Sequence, residues 1–169
     1  MKAAKSLEDQ FLEYLENYRK LIAKVARAYC NDPEEQKDLI QDIIVQLWNA
    51  YPRYNPKWSI ATWTYRIAIN VSISSLRKRS TRKHTQGEFQ EGLENIAETS
   101  PERDEKLDQL YQFINLLKPI DKAIIILQLE GCKNPEIAEV MGLSVTNVAT
   151  KKQRIKETLK SFFESKKLV

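Results

Sequence analysis

Glycine is scarce, with four in 169 residues, and strand-like alternation of apolar and polar residues is almost absent. Positive-φ hairpin turns lean on glycine and half-buried strands on that alternation, so a sheet protein is excluded and an all-α fold is expected. Two cysteines, Cys30 and Cys132, and one histidine, His84, cannot assemble a zinc site or a disulfide framework. Both cysteines read as small buried apolar side chains. No metal and no cofactor is expected. One histidine without clustered carboxylates leaves little from which to build an active site, so no catalytic residue is assigned. No apolar run approaches the roughly 20 residues of a membrane span, and the N-terminus lacks the apolar core of a signal peptide. A soluble, cytoplasmic protein without membrane insertion is expected.

Charge is present, and it is segregated. The formal net charge is +4 and the pI about 9.0, a balance that suits a polyanionic partner but is a small excess. Position says more. The segment from Arg77 to His84, RKRSTRKH, holds five Lys/Arg and no acid, whereas residues 88–105 hold seven Asp/Glu against Arg103 alone. A basic block running straight into an acidic one marks a boundary. The Gln, Glu, Thr and Ser of that stretch show no sustained periodicity and read as a flexible linker over residues 81–104. Two small helical domains, 1–80 and 105–169, are expected on either side of it.

Helical spacing is clear within each part. Phe11, Tyr14, Leu15, Tyr18, Leu21, Ile22, Val25 and Tyr29 make one apolar stripe. Asp32 as cap, Pro33 at the first helical position and Glu35 closing a capping box start a second helix. Its buried stripe is Leu39, Ile43, Ile44, Leu47 and Trp48, and Pro52 ends it. An aromatic loop, Tyr51 to Ser59, precedes a third helix from about Ile60 to Arg79. Ser100-Pro101-Glu102 predicts a fresh start, with Leu107, Leu110, Tyr111, Ile114 and Leu117 as apolar face and Pro119 as stop. Ile124 to Leu129 is apolar nearly all round and predicts a central helix ended by Gly131.

Residues 133–160 carry the sharpest motif. Asn134 and Pro135 open a short helix that buries Ile137, Ala138 and Met141. Gly142 can take the left-handed conformation of a tight corner, which Leu143 fills. Ser144 caps the next helix, whose inward positions are Val148, Ile155, Leu159 and Phe162. Its outward positions Thr146, Asn147, Thr150, Lys151 and Arg154, with Ser144 and Lys133, can reach base edges and phosphates in a major groove. An ordinary helical hairpin with a solvated face competes with this helix-turn-helix reading. Small Ala138 at the close approach, and no acid between Ser144 and Lys156, favour DNA. Lys152 falls on the apolar stripe and must snorkel.

The loop and third helix, YPRYNPKWSIATWTYRIAINVSISSLRKRS, combine aromatic rings with cations. Rings can stack on unpaired bases while cations neutralise phosphates. Trp63 reads as core and Trp58, flanked by Pro56 and Lys57, as the better contact.

Helix two (PEEQKDLIQDIIVQLWNAY), the segment ATWTYRIAINVSISSLRKR, and GCKNPEIAEVMGLSVTNV with QRIKETL, in this order, resemble the sigma-70 family of bacterial transcription initiation factors. Short length and two domains point to its extracytoplasmic function (ECF) subfamily, which keeps only regions two and four. The resemblance implies an alternative sigma factor that directs core RNA polymerase to promoters. It implies docking on the beta-prime clamp helices through Asp38, Gln41 and Asp42, with the beta flap as a second polymerase contact. It implies minus-ten recognition and melting through Tyr54, Asn55, Lys57, Trp58, Arg66, Asn70, Arg77 and Lys78. Duplex reading of the minus-thirty-five element would fall to the helix starting at Ser144. Members are often held by an anti-sigma factor, a possible partner here. Ser74 stands where the family commonly has Asp, Thr146-Asn147 where it has Gly-Thr, and Lys152 where it has Leu, which leaves base preference open. The rival readings are a polymerase-independent helix-turn-helix regulator, which usually dimerises, and an adaptor acting by contacts alone.

Overall fold

The computed structural model describes residues 3–86 and 104–167, and among these all regular structure is helical. Most of the expected linker, and the expected helix start at Ser100-Pro101-Glu102, lie outside the described residues.

Helix α1, Leu7–Tyr29, begins at Ser6, whose hydroxyl oxygen accepts from the Asp9 amide at 3.1 Å. Glu8 and Asp9 in its first turn and Arg27 in its last suit the helix dipole. The expected stripe faces the core, with Phe11, Tyr14, Ile22, Val25 and Tyr29 buried and Leu15, Tyr18 and Leu21 packed at its margin. Helix α2, Pro33–Ala50, is capped by Asp32, which accepts from the Glu34 amide. Glu35 does not close the expected capping box, because its carboxylate pairs with Arg79 of the third helix at 2.9 Å. Leu39, Ile43 and Leu47 are fully buried, but Trp48 stays 37% exposed, its ring 5.0 Å from that of Phe11.

After a 3-10 turn at Tyr51–Arg53, helix α3 runs Ile60–Gln86, well past the expected end near Arg79. The reason is local: Lys and Arg are good helix formers, and no proline or glycine intervenes before Gly87. α3 packs on both α1 and α2 to complete a three-helix module.

The second module contains α4 (Glu105–Leu116), α5 (Pro119–Leu129), α6 (Asn134–Met141) and α7 (Val145–Lys167). Asp104 caps α4. Its inward residues are Phe113 and Ile114, while Leu107 is exposed. Pro119 does not stop α4. Leu117 closes that helix, and Pro119 is the first residue of α5, a position where its fixed φ and missing N–H cost nothing. Ala123 to Leu127 are all buried, so α5 is central as expected, though Leu129 is exposed.

The two modules are docked rather than strung apart: α1 packs on α4 and α5, and α3 on α5 and α6. Arg27 pairs with Asp108 at 2.7 Å and lies 4.0 Å over the Tyr111 ring. The Tyr29 hydroxyl donates to the Pro119 carbonyl at 2.7 Å, and the buried Lys122 ammonium donates to the Ala28 carbonyl at 3.1 Å. Lys24 and Glu130 form a more exposed pair at 3.0 Å.

Candidate nucleic-acid interface

The aromatic loop is held by its own hydrogen bonds. The Asn55 side-chain oxygen accepts from the Lys57 amide at 3.0 Å, the Asn55 carbonyl accepts from the Trp58 amide at 3.2 Å, and the Tyr54 hydroxyl donates to the Trp58 carbonyl. Ser59 then caps α3, accepting from the Thr62 amide at 3.1 Å. The Arg66 guanidinium sits 5.5 Å over the Trp58 ring, a cation–π contact that ties the loop to the helix behind it. Lys57 is exposed at the loop's turn and Trp58 is half-buried.

Other aromatic side chains of this region go inward. Trp63 packs against Tyr14, Tyr51 and Tyr54, with ring centroids 5.2 to 6.5 Å apart. Tyr14 bonds Thr64 at 2.5 Å in the core, and burial pushes its phenol up to about 12. Tyr54 is therefore partly committed to the loop's structure.

Along α3, Arg66, Asn70, Ser74, Arg77 and Lys78 are all exposed. Spacings of four, eight, eleven and twelve put them on one face over about 17 Å of helix, the length of roughly five stacked nucleotides. Arg79 departs from this basic run and turns inward, donating to Glu35 and to the Tyr29 carbonyl at 3.1 Å. Sequence order alone could not separate it from Arg77 and Lys78, because the separation depends on where α2 lies.

The helix-turn-helix is formed by α6 and α7. Gly142 takes φ 67° and ψ 33°, the left-handed corner. Ile137 and Ala138 are buried with Val140, while Met141 is only partly buried. Ser144 accepts from the Asn147 amide at 3.0 Å, so its oxygen is engaged in starting α7. Val148 and Ile155 are buried, and Leu159 and Phe162 pack at the core margin. Thr146, Asn147, Thr150 and Arg154 are exposed on the other side, with Lys151 half-buried beside them. The Thr150 hydroxyl donates to the Thr146 carbonyl at 3.0 Å, which leaves its methyl group as the outward feature. Lys133 is exposed at the start of α6, and Lys152 is half-buried, as the apolar stripe requires.

On α2, Asp38, Gln41 and Asp42 are exposed on one face, and that face continues into Val45, 54% exposed, and Trp48. Sequence reasoning missed Val45 as a surface residue. The signal available was its offset of three from Asp42, which puts it on the acidic face. Acids beside an apolar pair suit a protein partner better than DNA. Among the described residues no cluster could hold a metal ion, and no helix is long and apolar enough to cross a membrane.

Comparison with known proteins bears on both modules. The family model for sigma-70 region 2 matches residues 14–82, and that for sigma-70 region 4 matches residues 107–159. The RNA polymerase sigma factor YlaC of Bacillus subtilis (strain 168) is 30% identical over 165 residues, covering 95% of this chain and 93% of that protein. The ECF RNA polymerase sigma factor SigX of the same organism is 23% identical over 166 residues, covering 94% and 86%. Among solved structures, the sigma factor RpoE in complex with the anti-sigma factor NepR from Bartonella quintana matches with TM-score 0.76 at 19% identity, covering 92% of this chain and 97% of that one. CnrH in complex with the cytosolic domain of CnrY matches with TM-score 0.65 at 21% identity, covering 92% and 88%.

Proposed function

This chain belongs to the sigma-70 family of transcription initiation factors, and we propose on that premise how its exposed residues divide the work of an alternative, ECF-type sigma factor. The protein binds core RNA polymerase and promoter DNA to start transcription. The acidic and apolar face of α2, with Asp38, Gln41 and Asp42, docks on the beta-prime clamp helices, and the second module meets the beta flap. The loop and α3, through Tyr54, Asn55, Lys57, Trp58, Arg66, Asn70, Arg77 and Lys78, take the minus-ten element as it opens. Lys133, Ser144, Thr146, Asn147, Thr150, Lys151 and Arg154 meet the minus-thirty-five element as duplex, Ser144 chiefly by setting the start of α7. The boundaries of this division are residues 1–80 and 105–169, with a linker between. The protein has no catalytic activity of its own, acts in the cytoplasm, and is a candidate for sequestration by an anti-sigma factor.

The observation that carries this reading is the presence, on one chain, of two differently built basic faces. One pairs cations with a half-buried indole, which suits unstacked bases. The other is a rigid helix with short polar and cationic side chains, which suits a major groove. Melting must then draw on binding energy. Extracting a base costs a few kcal/mol, and stacking contributes about 1–3 kcal/mol per base, so a few contacts suffice once polymerase holds the DNA.

Reconstituted transcription with bacterial core enzyme tests it. Promoter-specific initiation is expected, and Trp58→Ala is expected to slow it on duplex templates but much less on templates opened beforehand around the minus-ten element. Absence of specific initiation across a genomic promoter library would overturn the assignment. An equal loss on both templates would remove Trp58 from melting.

A further inference from the structure

The interface between the modules is polar at its centre. Arg27 of α1 is shared between Asp108 and the Tyr111 ring, both on α4. One turn away the Tyr29 hydroxyl bonds the Pro119 carbonyl. Between them Lys122 of α5 buries its ammonium, 4% exposed, against the Ala28 carbonyl, 5.5 Å from the Tyr29 ring. A buried cation held by one carbonyl carries a desolvation cost that an apolar side chain would not. Contacts of this kind resemble those of separable domains more than those of a permanent core.

None of these contacts covers the outward residues of α3 or α7, or the acidic face of α2. What docking fixes is their separation. On the function proposed above, the two DNA-reading faces must meet elements centred about 25 base pairs apart, roughly 85 Å of duplex at about 3.4 Å per pair. A chain of this length folded as one body has a radius of gyration of about 16 Å, hence a width near 40 Å. The docked form can therefore hold either element and cannot span both. The roughly twenty-residue chain between α3 and α4 can reach about 65 Å when extended, so covalent connection does not forbid separation.

The geometry points to an intramolecular latch: Arg27–Asp108, Tyr29–Pro119 and Lys122–Ala28 hold the free protein in a docked arrangement that must break before both promoter elements are engaged. The latch acts on distance and leaves each DNA face open. A short duplex carrying the upstream element alone is therefore bound by the docked form, while full promoter engagement waits for polymerase to separate the modules. Because the initiation-competent state is then a minor fraction of free protein, apparent affinity for core enzyme is reduced by that fraction, and a latch open one part in ten lowers it about tenfold.

Small-angle scattering on the full chain tests this directly. Wild type is expected to be compact, slightly above the one-body value. Asp108→Lys, which sets like charges against each other at Arg27, should expand it, and Arg27→Glu with Asp108→Lys should restore compactness. Asp108→Lys should also raise apparent affinity for core polymerase, and the swapped pair should return it. An already expanded wild type, or an Asp108→Lys protein of unchanged size and helicity, overturns the latch. If Asp108→Lys loses helicity, Tyr29→Phe, which deletes one hydroxyl, decides: expansion supports the latch and unchanged scattering overturns it. Failure of the promoter reading would show instead as absent initiation by wild type, which leaves the scattering result standing.

Discussion

Single residues in this protein act through backbone geometry as much as through contacts. Gly142 marks the corner of the helix-turn-helix at φ 67°, and a Cβ placed there meets nothing within 4 Å. The cost of replacing it is then conformational and not steric. Gly142→Ala is expected to destabilise by about 1–2 kcal/mol, the usual cost of left-handed backbone for an L-residue. Denaturant unfolding should show a lowered midpoint with unchanged slope, since the surface exposed on unfolding is the same. A wild-type midpoint would mean that the corner relaxes to another conformation. Arg79 and Arg77 show the complementary case: they are two residues apart and chemically identical, but one braces Glu35 and a carbonyl while the other faces solvent.

At the scale of the element, α7 joins two functions on opposite faces. Val148 and Ile155 anchor it in the second module, and the same rigidity aims Asn147, Lys151 and Arg154 outward together. If Lys151 and Arg154 each neutralise a phosphate, duplex binding should weaken and its dependence on salt should flatten. Each removed contact lowers the slope of log affinity against log salt by about 0.9. Fluorescence anisotropy across a salt series with Lys151→Ala and Arg154→Ala checks this. Weaker binding with an unchanged slope would mean that these side chains touch bases or act indirectly. Asn147→Ala should behave in that second way, because an amide carries no charge and can read a base edge. α3 shows the same economy, with Tyr65, Ala68, Ile69 and Ser72 buried beneath the exposed Arg66, Asn70 and Arg77.

The molecule as a whole should fail at alkaline pH through its buried phenols. Burial pushes Tyr14 up to about 12 from the ordinary 10.0 and raises Tyr29 and Tyr65 further. Their folded pKa values lie above the unfolded ones. The stability they contribute is thus complete below pH 10 and is lost as pH rises through 10 toward 12. Lys122 runs the other way. Burial lowers it from 10.5, so its penalty is present at neutral pH and is relieved as pH rises from its folded pKa to 10.5. Three phenols outweigh one amine, and net stability should fall above pH 10. Phenolate absorbance followed together with circular dichroism checks it: part of the tyrosine signal should appear only as helix is lost. Complete titration near pH 10 with intact helices would contradict the burial of these rings.

Much of this architecture was legible without coordinates. Periodicity located seven helices' worth of apolar faces, and Gly142 with Ser144 marked the corner and cap of the helix-turn-helix. The charge reversal after His84 marked where one module gives way to the next. These features are local, so neighbouring residues carry their signal. The misreadings share a different cause. Glu35 left its capping role for Arg79, Trp48 stayed partly in solvent, Pro119 began a helix it was expected to end, and α3 ran on to Gln86. Only the tertiary structure decided that α1 and α3 receive α4, α5 and α6, because the sequence says which face of a helix is apolar but not which other surface will cover it. Lys122 makes the point most sharply: a lysine four residues into a helix reads as solvated, and it is buried because Ala28 and Tyr29, more than ninety residues away in sequence, close over it.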